Sequence, residues 1–232
     1  ANGTQSAVSL TAVAREETTL AALAETANTQ AGVEIVFADS STVANVSGTD
    51  PGQTARDATA FAHDAYRVAA AIISVSKTAT VICDPFNGTT DPKNIPGAIV
   101  RWTITVSNGG AAGASATLNQ VTDSLDLNTL HDANLVTGAG APVATACNSA
   151  TGTPESGTPG LGFQIESSAA RALGGTGGYM TTAVDSDGAD ITGQAVTIDF
   201  AAALPEDIPN SHAAGELKAG ESATVTFNVT IN

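Results

Sequence analysis

The stretch ATVTFNVTIN (residues 223–232) decides the fold, because apolar and polar side chains alternate along it. One face carries Val225, Phe227, Val229 and Ile231, and threonine and asparagine occupy the other. Period-two alternation with many β-branched residues is typical of a strand that has one buried face. The sequence therefore predicts that the chain ends in a strand lying against a core.

The same alternation recurs upstream. It is clearest in IVRWTITVS (99–107) and in ISVSKTATVI (73–82), where Lys77 interrupts the apolar face. Shorter candidate strands cover residues 33–38, 117–122, 163–166 and 196–200. Residues 16–29 have a weak apolar stripe with helical spacing. Residues 53–71 are rich in alanine, and they are compatible with a helix or with an extended chain. The expected fold is all-β, with one or two short helices near the N-terminus.

The charge of the chain excludes several functions. Eight lysines and arginines, scattered singly, stand against 23 aspartates and glutamates, which gives a formal net charge of −15. Nucleic-acid phosphates and anionic membrane surfaces are both bound by clustered basic residues. The sequence also has no run of about 18 apolar residues, the length of a membrane span. We therefore expect no nucleic-acid partner and no membrane insertion.

The first residues, ANGTQSAVSL, are small and mostly uncharged, as in a mature end left after removal of a signal peptide. This interpretation predicts a secreted, extracellular or cell-surface protein. In that compartment Cys83 and Cys147 would pair as a disulfide, whereas in the cytosol they would stay reduced. The sequence leaves both states open.

Three segments carry a resemblance to a known family: residues 75–110, the VTDSL of 121–125, and ELKAGESATVTFNVTIN (216–232). In this order they resemble the repeat family named domain of unknown function 11, which consists of immunoglobulin-like β-sandwich modules of bacterial and archaeal surface proteins. The resemblance implies such a sandwich over about residues 72–232 and a cell-surface location, but no reaction. Residues 1–71 form an N-terminal extension, which either folds by itself or joins the sandwich in one compact unit.

The sequence contains no arrangement typical of an enzyme. It has no nucleophile motif, phosphate-binding loop or zinc motif. The histidines, His63, His131 and His212, are far apart and are expected to lie in solvated loops. We therefore expect a protein that is not an enzyme and needs no cofactor.

Two patterns suggest a binding or modification site. Asp185, Asp187 and Asp190, close together with a glycine, could bind a structural calcium ion, or they could form a solvated acidic turn. Lys77 is expected to point inward, where it could form an isopeptide bond with Asn228 or Asn232 of the last strand; the alternative is a lysine that extends to solvent at the sheet edge.

The edges of the predicted sheets suggest a function, because an exposed edge must be covered, charged or used. The segment QSAVSLTAVA (5–14) alternates through Val8, Leu10 and Ala12 and could add as a strand to the next subunit. The last strand, 223–231, would belong to the receiving sheet through its four apolar residues. Head-to-tail repetition among copies would build an open filament. The first hypothesis is therefore an extracellular structural subunit, and the alternative is an adhesin module that binds a glycan or protein.

Overall fold

Antiparallel β-strands dominate the computed structural model, as the alternating sequence predicts. The structure describes residues 4–13, 15, 17–21, 44–45, 48–49, 59–110, 114–136, 147–150 and 152–232. Contacts divide the chain into two units, Ala1–Ala69 and Ala70–Asn232. The described residues include one short helix, and none of them belongs to a helix long and apolar enough to cross a membrane.

The described strands of the first unit are β1 (Gln5–Val13), β2 (Ala44–Asn45), β3 (Gly48–Thr49) and β4 (Thr59–Arg67). β1 and β4 form an antiparallel ribbon, and β2 pairs with β3. Of the two alternatives for residues 53–71, helix and extended chain, the extended chain is confirmed for residues 59–67, because these pair with β1 along its whole length. Residues 17–21 are turn and irregular chain rather than helix. The rest of the helix expected over 16–29 and the strand expected over 33–38 lie outside the described residues.

The elements of the second unit are β5 (Ile73–Cys83), β6 (Ile99–Asn108), β7 (Ala116–Thr117), β8 (Gln120–Ser124), β9 (Thr129–His131), β10 (Phe163–Ser167), β11 (Tyr179–Met180), β12 (Ala189–Thr192), β13 (Ala195–Asp199), α1 (Phe200–Ala203), β14 (Glu216–Leu217) and β15 (Ser222–Ile231). The larger sheet has the order β11-β10-β15-β6-β5, and β9 also pairs with β15. The smaller sheet has the order β12-β13-β8, and β14 pairs with β7. The C-terminal strand is therefore central in the larger sheet.

Both sheets contribute to one hydrophobic core. Phe163 of β10 and Phe227 of β15 are fully buried, and so are Val196 and Ile198 of β13. Alternation turns the apolar side chains of each strand to the same face, which is why strands with this pattern share a core. Full burial of side chains of this size stabilises the fold by about 1.5–3 kcal/mol each.

Strand β5 is fixed at both of its ends. At its start, the Asn108 side chain, which is 1% exposed, accepts a hydrogen bond from the Ile72 N–H and donates to the Leu217 carbonyl oxygen. At its end, Cys83 forms a disulfide with Cys147, with 5.6 Å between the two Cα atoms. This pairing is the one expected for a secreted chain, and it ties the end of β5 to a segment 64 residues away.

Candidate functional site

The candidate site is an apolar cavity of about 470 Å³ in the second unit, and it opens to solvent. Its apolar walls come from β5, β6 and β15 and consist of Ala79, Val81, Val100, Trp102, Val229 and Ile231. Its polar rim consists of Asn94, Asp126, Asn128 and Thr129. We call this cavity the β5 groove. Trp102, which the alternation predicts to be buried, is instead half-buried in the groove wall.

The smaller sheet does not cover the start of β5, whereas the end of the strand packs against the core through Val81. In β5, Val75 lies opposite Val106 of β6, and directly opposed residues point to the same face of a sheet. Val106 is 1% exposed, but Val75 is 59% exposed and Ile73 on the same face is 41% exposed. The apolar face of β5 is therefore turned toward the core side without being buried there.

An ion pair stands beside the groove between the two sheets. The Nζ atom of Lys77 on β5 lies 2.5 Å from Oδ2 of Asp123 on β8 and 4.0 Å from the centre of the Trp102 ring. Asp123 lies opposite the fully buried Val196, so its side chain also points to the core side of its sheet. The pair therefore joins the inner face of β5 to the inner face of β8.

Two strand edges next to this region have no partner among the described residues. β5 pairs with β6 alone, and β8 pairs with β13 alone. An unpaired edge presents a row of N–H and C=O groups to which another strand can hydrogen-bond. The open side of the second unit thus combines an apolar wall with free backbone groups.

The first unit also exposes apolar side chains. In β1, Val8 is 48% exposed and Leu10 is 68% exposed; the side chain of Ala12 lies outside the described set. β1 carries no charged residue. A ribbon of two strands such as β1 and β4 has marginal stability by itself in water. Burial of the exposed apolar face of β1 would therefore be favourable, as would burial of the exposed apolar face of β5.

The structure separates the four residues expected in the receiving sheet. Val225, Phe227 and Val229 are at most 1% exposed in the core, and Val229 and the half-buried Ile231 also line the β5 groove. β15 is paired on one side with β6 and on the other with β10 and β9. An incoming strand therefore has no access to the edges of β15 along its paired length, although β15 helps to form the groove wall.

The expected isopeptide partners do not lie beside Lys77. Lys77 is in register with Ile104 and Val225, and Asn228, three residues further along β15, points to the opposite face. The Asn228 side chain is fully buried and donates to the carbonyl oxygen of Val136. Asn232 follows Val225 by seven residues, or about 23 Å of extended chain. The isopeptide alternative therefore does not fit Asn228 on geometric grounds, and Asn232 is too far along the strand.

The acidic loop forms a turn that is stabilised by its own hydrogen bonds. Asp185 accepts from the Thr181 hydroxyl and from the backbone N–H of Asp187, and Asp187 accepts from the backbone N–H of Thr181. The Thr181 hydroxyl and the Asp187 N–H lower the pKa of Asp185, whereas burial raises the pKa of Asp187. Asp190 lies further on, in β12. In the described residues no three acidic, histidine or cysteine side chains are grouped as metal ligands. The geometry thus matches the acidic-turn alternative.

Two histidines lie in packed surroundings rather than in solvated loops, so that expectation is wrong for them. His131 stacks on Phe163 with ring centres 4.8 Å apart, and burial lowers its pKa to about 4 against the opposing charge of Asp132. His212 is 6% exposed, and its Nε2 atom lies 3.0 Å from Glu221. Apolar neighbours that are distant in sequence bury His131, and no local pattern indicates them. The side chain of His63 lies outside the described set.

One part of the groove is visible in the sequence and another is not. Lys77, a charge on an otherwise apolar face of β5, indicates that this face is not fully buried. No sequence pattern indicates Asp123 as a site residue, because a single aspartate on a short strand is not distinctive. Its pairing with Lys77 depends on how the two sheets lie together.

Comparisons with known proteins add no relative. The resemblance to domain of unknown function 11 modules, like the immunoglobulin-like topology that it implies, therefore stays a prediction. No protein-family model, no curated protein and no solved structure matches this chain.

Proposed function

We propose that this chain is a structural subunit of an extracellular filament or surface polymer, and that it is not an enzyme. Copies of the chain assemble head to tail, and a strand of one copy completes a sheet of the next. In this proposal the second unit is an immunoglobulin-like β-sandwich, secreted after removal of a signal peptide. The Cys83–Cys147 disulfide supports secretion, because disulfides persist in oxidising compartments.

The observation that carries the proposal is the uncovered apolar face of β5. Ile73 and Val75 are 41% and 59% exposed on a strand whose partner, β6, has its own apolar face in the core. Large apolar residues that are exposed together indicate an interaction surface. The same chain carries a second uncovered apolar strand, β1, so that each copy offers both a surface to be covered and a strand to cover it.

The charge of the chain agrees with a polymer built in this way. With a net charge of −15, copies repel one another over most of their surface and stay soluble. Association then depends on the surfaces that carry few charges. β1 and the wall of the β5 groove are such surfaces.

Sedimentation velocity and negative-stain electron microscopy, on non-reduced protein over a range of concentrations, test the proposal. We expect an open-ended series of oligomers or filaments, and we expect a variant that lacks residues 1–15 to stay monomeric. A parent protein that is monomeric at every concentration would contradict the proposal. So would a deletion that leaves the size distribution unchanged.

The second candidate function is an adhesin module, and the position of Trp102 favours it. This half-buried aromatic side chain lines a cavity that has amide and carboxylate groups from Asn94, Asp126 and Asn128 at its rim. Apolar pockets with a few polar groups are typical of small-ligand sites. A glycan array probed with the monomeric deletion variant separates the two functions. Binding that is lost on Trp102→Ala supports the adhesin.

A further inference from the structure

We propose that the β5 groove is the acceptor site for strand β1 of a second copy of this chain, which pairs with the free edge of β8. This inference rests on the proposed function and names the two surfaces that meet. The apolar side chains of the incoming strand, Val8 and Leu10, enter the groove against Trp102. The strand becomes the next member of the smaller sheet, in the order β12-β13-β8-β1.

The position beside β8 follows from comparing which residues a strand would bury if it were added to the edge of β5 or to the edge of β8. A strand added to β5 would extend the larger sheet and leave Ile73 and Val75 exposed. A strand added to β8 lies in the smaller sheet, next to Asp123, whose carboxylate meets the Lys77 ammonium above the Trp102 ring of β6. From there it faces the inner surface of β5. Only the β8 edge therefore both satisfies backbone groups and buries the apolar face.

The length and pattern of β1 match this position. β1 has nine residues and β8 has five, so an incoming β1 of about 30 Å can pair along the whole of β8 and extend beyond it. The period of two places Val8 and Leu10 on the same face, about 7 Å apart. Both are already extended and exposed, at 48% and 68%. The strand therefore needs little reordering before it binds.

Charge selects β1 as the occupant. Asp126 lies at the rim of the groove, so an incoming strand with carboxylates would meet a like charge there, whereas the charge of Asp123 is balanced by Lys77. Gln5–Val13 has no charged residue, although the chain as a whole carries a net charge of −15. An uncharged strand can thus approach where a typical segment of this acidic surface would be repelled.

A complementation experiment with two full-length variants tests the inference. Leu10→Asp damages the incoming strand and keeps the groove, and Ala79→Arg blocks the groove and keeps the strand. Each variant alone should be monomeric in sedimentation velocity. Their equimolar mixture should give a dimer and no longer species, because one intact strand meets one intact groove.

Matched controls distinguish this contact from general effects of charge. Ala7→Lys places a charge other than a carboxylate on the opposite face of β1, and Thr78→Arg places one on the opposite face of β5. Both positions are exposed, and both control variants should assemble as the parent does. Single variants that still polymerise, or a mixture that stays monomeric, would overturn the inference.

A second measurement does not depend on polymer formation. Trp102 is the single tryptophan of the chain, so its fluorescence reports the groove. A peptide of residues 4–13, added to the monomeric variant that lacks residues 1–15, should shift the emission to shorter wavelength and protect it from iodide. The same peptide with Leu10→Asp should bind at least about tenfold more weakly. Equal effects of both peptides, or of neither, would count against the inference.

The outcomes for the groove and for the proposed function are separable. Polymers that form from both single variants would leave the filament standing and remove the β5 groove from it. A monomeric parent whose Trp102 is protected by the peptide would remove the filament and keep the groove as a site for β1. A monomeric parent without protection would remove both.

Discussion

Strands β15 and β5 have the same alternating sequence pattern and opposite surroundings. In β15 the apolar residues Val225 and Phe227 are 1% and 0% exposed, whereas in β5 Val75 is 59% exposed. The strands belong to one sheet and are separated by β6. The difference arises because the smaller sheet ends at β8 and leaves the start of β5 uncovered. Alternation thus identifies the apolar face of a strand, but a neighbour from the other sheet decides whether that face is buried.

The largest expected effect is the difference between a truncation in the closed core and one on the open face. Phe227→Ala should lower the free energy of unfolding by about 3–5 kcal/mol, because it leaves a cavity among packed residues. Val75→Ala should change that of the monomer by less than about 0.5 kcal/mol, because its side chain is already largely in water. Urea denaturation of the variant lacking residues 1–15 measures both. Similar losses for the two substitutions would show that β5 is covered within its own chain.

The disulfide has the next largest expected effect, and it lies at the end of the exposed strand β5. Replacing Cys83 and Cys147 together by serine should lower the free energy of unfolding by about 4 kcal/mol in the loop-entropy model, since the bond closes a 64-residue loop. Because the start of β5 is not buried by the smaller sheet, we expect the disulfide to stabilise β5 more than it would stabilise a strand in the core.

Hydrogen exchange separates these two contributions of the disulfide. After mild reduction, amides of β5 should lose protection before those of β15. Simultaneous loss in both strands would show that the bond stabilises the unit as a whole and not the open strand in particular.

The sequence is sufficient to locate the strands, but it does not indicate which strand faces are covered by the other sheet. The alternation in 223–232 and 73–82 located β15 and β5, because each residue's side is set by its own strand. Residues 59–67 show the limit: their alanines are compatible with helix or strand, and pairing with β1 decides between them. The alternation in β6 predicts that Trp102 is buried, as it does for the apolar residues of β15. The sequence of β6 does not indicate that the smaller sheet ends at β8 and leaves Trp102 half-buried.

The half-buried His131, which stacks on Phe163, allows the packing in this part of the second unit to be tested by pH. Because burial lowers the pKa of His131 to about 4, the unfolded chain binds a proton below about pH 6.5 that the folded chain does not take up until about pH 4. Stability should therefore fall as the pH falls through this window, by about 3 kcal/mol in total.

The variant His131→Gln isolates this contribution. Its loss of unfolding free energy between pH 7 and pH 4 should be about 3 kcal/mol smaller than that of the parent, because the other acidic groups titrate equally in both. Urea denaturation at the two pH values gives the comparison. Parallel pH profiles would show that His131 is hydrated in the folded chain, and thus that this side is less closed than its stacking on Phe163 indicates.

The smallest expected effect lies at the boundary between the closed and open sides. The side chains of Lys77 and Asp123 are 33% and 17% exposed, so water screens their attraction. A double-mutant cycle with Lys77→Gln and Asp123→Asn should give a coupling energy of about 0.5–1 kcal/mol in the monomer, and less at high salt. If copies assemble through the β5 groove as proposed, the incoming β1 covers this pair and excludes water, which strengthens the attraction. The parent, the two single variants and the double variant should therefore show an additional coupling energy in assembly, measured from the concentration at which each of these four proteins assembles. If the four proteins assemble as their monomer stabilities alone require, the pair stays in water and the open side of β5 is not where copies meet.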